Sequence, residues 1–144
     1  MRMPIAVAAL FLFANGAHAD DAAVAPDVGL VLSLQLYSVG VMDYCFDEIE
    51  KRPAFKEASA KWKARNDETM TLAATLLPKV AKAEEIASVV IQVRNQIAFD
   101  LVAQEDKAAA CQRAADSLND PSSDLAARLP DSVARIKAAL AATP

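Results

Sequence analysis

The stretch AFKEASAKWKARNDE, residues 54–68, lies in the segment that decides the fold. Within residues 53–77 six side chains, most of them apolar, recur at intervals of three, four and seven residues, which is the spacing of one helical face. These positions are Phe55, Ala58, Trp62, Thr69, Leu72 and Leu76. Oppositely charged residues four apart, such as Lys63 and Asp67, suit the exposed faces. The segment therefore predicts an amphipathic helix with Trp62 facing the core.

The first nineteen residues have the pattern of a secretory signal peptide. Arg2 precedes the apolar run IAVAALFLFA, and Ala17-His18-Ala19 places small residues at the two positions that a signal peptidase reads. The apolar run is too short to anchor the chain in a bilayer, and no lipoprotein cysteine follows it. We therefore expect cleavage after Ala19, and a product in the periplasm or outside the cell that has no membrane anchor.

The remaining chain is predicted to be one all-α domain. Removing 19 of 144 residues leaves 125, which suits one hydrophobic core. Only Gly29 and Gly40 remain as glycines, too few for the many turns of an all-β domain. Losing Arg2 changes the formal charge from −4 to −5, and no basic run stands out. We therefore expect no nucleic-acid partner.

Prolines divide this domain into segments of helical length, because proline is tolerated at the start of a helix and breaks its interior. We predict four main helices, within residues 26–52, 53–77, 78–106 and 107–119, and a short helical C-terminal tail. In the first segment, Leu32, Leu34 and Leu36 alternate with polar residues as in a strand, but the glycine count favours a helix. Residues 20–26 are predicted to be disordered, and residues 27–144 to form the helical domain.

The two cysteines, Cys45 and Cys111, predict one disulfide. An even number of cysteines in an oxidising compartment is typical of structural disulfides. The sequence contains no Cys-x-x-Cys motif, so nothing indicates a redox site. The bond would join the end of the first helix to the fourth.

The only histidine, His18, lies in the predicted signal peptide. Its loss excludes catalysis by Ser-His-Asp or Cys-His, and it removes the imidazole on which most zinc, copper and haem sites depend. The sequence also lacks a glycine-rich phosphate loop and a Ser-x-x-Lys motif. We therefore predict a protein that is not an enzyme and that has no cofactor, no metal site and no catalytic residues.

Two groups of residues remain as candidates for a partner or ligand surface. Asp43, Asp47 and Glu50 share one face of the first helix if it continues regularly, and such a stripe is usually a solvated surface. The alternatives to a solvated surface are that these carboxylates bind a basic partner or a cation, or that they catalyse glycoside cleavage. Trp62, Arg65 and Asn66 lie close together on the second helix. They form either a packing network around the indole or a partner site.

The sequence also resembles a pattern found in small, mostly uncharacterised exported helical proteins of Gram-negative bacteria. Its elements here are Cys45, Pro53-Ala54-Phe55, Trp62-Lys63-Ala64-Arg65-Asn66 and Cys111. The resemblance covers about half of the chain without its leader. It implies a periplasmic helical domain with a disulfide, and it implies no reaction.

These observations favour an exported protein that binds another envelope or secreted protein, such as an immunity or inhibitor protein. A periplasmic stress chaperone is the first alternative, because the first helix is apolar around most of its circumference. A carboxylate-dependent glycan hydrolase is the second.

Overall fold

The structure, a computed structural model, describes residues 19–142, with side chains from residue 21 onward. It contains six α-helices: α1 (Ala19–Tyr44), α2 (Pro53–Val80), α3 (Ala83–Val102), α4 (Lys107–Asn119), α5 (Leu125–Arg128) and α6 (Pro130–Ala141). A π-helical turn, Cys45–Ile49, follows α1, and a 3₁₀ turn, Pro121–Ser123, precedes α5. No strand occurs in the described residues, which confirms the all-α prediction.

Helix α1 is the centre of the fold and contacts all five other helices. It buries Val28, Val31 and Met42 in the core, and its leucines 32, 34 and 36 pack partly buried around them. The alternative strand interpretation of these leucines is therefore wrong. By length and composition alone, Asp21–Ile49 is apolar enough to cross a membrane, with a mean hydropathy of 1.4. Half of that apolar window is buried inside the protein, as in the core helix of a globular domain.

The prediction of four main helices is not confirmed. The predicted tail forms α5 and α6, and α6 packs against both α1 and α2. Leu125, Val133 and Ile136 are buried, so these helices belong to the core. Short helices of this kind are stabilised by tertiary packing rather than by their own propensity, and their length alone does not show whether they join the core.

Two further expectations about the chain are wrong. Residues 20–26, which we expected to be disordered, belong to α1 because Val24 and Ala25 are buried in the core. Pro26 and Pro78 also lie inside helices rather than between them. Burial of the surrounding turns outweighs the one backbone hydrogen bond that each proline removes. The predicted signal peptide, residues 1–19, lies outside the described residues except for the backbone of Ala19.

The predicted disulfide is confirmed. Cys45 is the first residue of the π-helical turn, and its sulfur bonds to Cys111 on α4. Neither cysteine exposes any surface. The bond fixes the end of the central helix to α4, 66 residues later in the chain.

Helix α3 lies at the edge of this arrangement. Within residues 19–142 its backbone approaches only α1 and α4, and not α2, α5 or α6. It runs antiparallel to α1, and a Cβ added at Gly40 would lie 2.6 Å from Cδ1 of Ile97, so glycine permits this close approach. One turn away, the hydroxyl of Tyr37 donates a hydrogen bond of 2.6 Å to Asp100. Burial and the Asp100 carboxylate raise the pKa of Tyr37 above its ordinary value.

Candidate functional site

Trp62, Arg65 and Asn66 lie together against the connection between α4 and α5. The indole of Trp62 is fully buried, and its Nε1 donates a hydrogen bond of 3.1 Å to the carbonyl of Ser123. A buried indole N–H needs such a partner, because leaving it unpaired costs free energy. This contact anchors the 3₁₀ turn to α2.

Arg65 and Asn66 hold the same connection through charged and backbone groups. Arg65 donates to the carboxylate of Asp124 at 2.9 Å and to the carbonyl of Leu118 at 2.6 Å. The side-chain oxygen of Asn66 accepts the buried backbone N–H of Leu125 at 2.6 Å, and its nitrogen donates to the carbonyl of Trp62. The polar groups of these three side chains thus form hydrogen bonds within the protein itself. We therefore place no partner surface on them.

The three carboxylates predicted to share a face do not remain together. The π-helical turn changes the helical register after Tyr44, and the chain becomes extended at Glu50. Asp43 forms an ion pair of 2.8 Å with Lys56, which raises the pKa of that lysine, and Glu50 lies 3.9 Å from Arg52. Asp43 and Asp47 line a groove to which Glu50 does not contribute.

This groove runs between α1 and α3 and has a volume of about 740 Å³. Its walls combine apolar side chains with charged groups of both signs. The apolar residues are Leu36, Val39, Val90, Ile91, Val93 and Ile97, and the charged residues are Asp43, Asp47, Glu48, Lys63 and Arg94. The charged groups gather near the end of α1, whereas Gln35 and Ala98 border the uncharged end. An apolar groove with a few charged groups suits a ligand or a partner segment that buries apolar surface there.

The apolar residues on the outer side of α3 were not predicted from the sequence. Ile91, Phe99 and Val102 are 59%, 72% and 63% exposed, and among the described residues they are the large hydrophobic side chains that stand out into solvent. Val93, Ile97 and Leu101, on the opposite face of α3, are buried. The sequence does contain a signal for the exposed residues, because this segment has more apolar residues than one buried face requires.

An ion pair between the two ends of the domain was also not predicted from the sequence. Arg135 on α6 donates two hydrogen bonds of 2.8 Å to the carboxylate of Asp27, which is only 4% exposed. Burial alone would raise the pKa of Asp27. Hydrogen bonds from Arg135 and Ser132, together with the arginine charge, instead hold this pKa below its ordinary value. A two-pronged contact of this kind fixes the position of α6 on α1.

Asp27→Asn should lower the free energy of unfolding at neutral pH but not in acid. The folded-state pKa of Asp27 lies below that of the unfolded chain, about 3.9. Its contribution is therefore present above that value and is lost as the pH falls through the folded-state pKa. Urea unfolding from pH 7 to pH 2 should show Asp27→Asn less stable at pH 7, with the two proteins converging in acid. Asp67→Asn, at an exposed carboxylate, is the control. A constant difference between wild type and Asp27→Asn at all pH values would contradict this.

No group of three or more histidine, cysteine, aspartate or glutamate side chains in the described residues is arranged to hold a metal ion. Comparisons of the chain with models of protein families, with curated proteins and with solved structures find no match. The groove between α1 and α3 is therefore the candidate functional site on its geometry alone.

Proposed function

We propose that the protein is exported to the periplasm or beyond, has no enzymatic activity, and binds another envelope or secreted protein through the groove between α1 and α3. Export is supported by the signal-peptide pattern of residues 1–19 and by the pairing of both cysteines. An exported, disulfide-bonded protein that binds a partner and has no enzymatic activity would suit the role of an immunity or inhibitor protein.

The groove carries this proposal. Among its apolar wall residues, Ile91 is exposed and Leu36, Val39 and Val90 are half-buried, so a partner can still cover them. The charged residues at one end, Asp47, Lys63 and Arg94, would give a bound segment its orientation. Charged groups at the rim of an interface select partners and steer association more than they add affinity.

Site-specific photocrosslinking in the periplasm tests the proposal. A photoreactive residue at Gln35, in the groove, should yield one discrete adduct with a different protein, and the same residue at exposed Ala74 on α2 should not. Ala98→Trp, which fills the uncharged end of the groove, should abolish the adduct while circular dichroism shows an intact fold. Equal adducts from both positions, or none from Gln35, would refute a partner site in the groove.

A periplasmic chaperone is the second candidate, because the exposed apolar residues of α3 resemble a surface that holds unfolded clients. That role predicts many adducts from Gln35 rather than one. It also predicts that the purified protein suppresses the aggregation of a reduced client protein. A single adduct without such suppression would exclude it.

A further inference from the structure

The outer face of α3 carries a continuous stripe, which we call the α3 stripe: Ile91, Asn95, Phe99 and Val102. The four residues are spaced by four, four and three positions, which places them on one side of the helix. All four are exposed, and the three large exposed hydrophobic residues of the described chain belong to this stripe. Such an apolar patch on a single helix is typical of a surface that packs against another protein.

The α3 stripe carries no charge. Between residues 86 and 102 the charged residues of α3 are Arg94 and Asp100. Arg94 lines the groove with Asp43 and Asp47, and Asp100 accepts hydrogen bonds from Tyr37 and Gln96. Two such stripes can therefore meet without placing charged residues between them.

The stripe is also complementary to itself. Ile91 and Phe99 lie four residues to either side of Asn95, so two antiparallel α3 helices related by a two-fold axis at Asn95 would pack Ile91 of each copy against Phe99 of the other. The two Asn95 amides would meet at the axis, where each can both donate and accept a hydrogen bond. A polar residue at the centre of an apolar helix seam fixes the register of the pair.

We propose that the protein forms a two-fold symmetric dimer through the α3 stripe. This goes beyond the proposed function and does not depend on it. Ile91 and Asn95 belong both to the stripe and to the lining of the groove. The second copy's α3 therefore lies along the outer edge of each groove.

Light scattering coupled to size-exclusion chromatography tests the association. The exported protein should have twice the mass of one chain at micromolar concentration, and Phe99→Glu should have the mass of a single chain. Phe99 is largely exposed, so this variant should keep the wild-type circular dichroism. Its melting temperature should not depend on protein concentration, because it has no dimer to dissociate. The control is Ala74→Glu, which adds the same charge at an exposed position on α2, away from the stripe. A single-chain mass for the wild type, or a dimer that survives Phe99→Glu, would overturn the proposal.

A crosslink at the axis tests the geometry separately. Neither native cysteine is free, so Asn95→Cys introduces a single free thiol. Two such thiols at a two-fold axis should form an intermolecular disulfide at least about tenfold faster than those of Ala74→Cys, at an exposed position on α2, under mild oxidation. Equal rates for the two variants would refute the antiparallel pairing at Asn95. If the wild type had a single-chain mass but still gave the discrete Gln35 adduct, the dimer would be refuted and the proposed function would stand.

Discussion

Trp62→Ala is expected to lower the free energy of unfolding by about 3–5 kcal/mol, which is the usual cost of truncating a large aromatic core residue. The indole is the largest fully buried side chain of the described residues. Its removal leaves a cavity beneath the connection between α4 and α5. It also leaves the buried carbonyl of Ser123 without its hydrogen-bond donor. Urea unfolding followed by far-ultraviolet circular dichroism measures the loss.

Two variants separate the contributions to this loss. Trp62→Phe keeps most of the apolar volume but removes the N–H, so it should cost roughly 1–3 kcal/mol, the range for leaving one buried polar group unpaired. Lys61→Ala, at an exposed position beside the tryptophan, should change stability by less than about 0.5 kcal/mol. A loss below about 1 kcal/mol for Trp62→Ala would show that the indole is not a core residue.

Removing the disulfide is the second large effect. The double variant Cys45→Ala and Cys111→Ala should lose about 4 kcal/mol, because the bond closes a long loop and thereby restricts the unfolded chain. The chain-entropy model gives this value for a loop of about 67 residues. The folded protein should resist reduction by dithiothreitol, since both cysteines are fully buried.

Unfolding experiments with and without reductant test this result. The wild type unfolded in urea with dithiothreitol should have the stability of the double variant, and the double variant itself should not respond to the reductant. If the wild type and the double variant had the same midpoint in urea without reductant, the bond would not stabilise the fold.

The local features of the fold could be predicted from the sequence. The helical spacing around Trp62 predicts α2, whose observed start is Pro53, and the run KAAACQRAADSLN coincides with α4. The two cysteines predict their own pairing because no other cysteine competes. Each of these inferences rests on side-chain spacing or on residue counts, which are properties of the chain before it folds.

The partners of the polar residues could not be predicted in this way. Asn66 bonds to Leu125, and Asp27 bonds to Arg135, 108 residues away. Nothing in the local pattern of either residue points to such a distant partner. The break in the carboxylate stripe, at the π-helical turn Cys45–Ile49, also had no signal in the local sequence pattern.

The sequence by itself determined that this chain is helical and cross-linked once, because helical periodicity and cysteine pairing depend on residue type and spacing. Only the tertiary structure decided which apolar faces are covered. Residues 20–26 and the short C-terminal helices are drawn into the core, whereas Ile91, Phe99 and Val102 remain outside it. The physical reason is that burial depends on which helices a face meets. Helix α3 meets α1 along one side, and that leaves its second apolar side open.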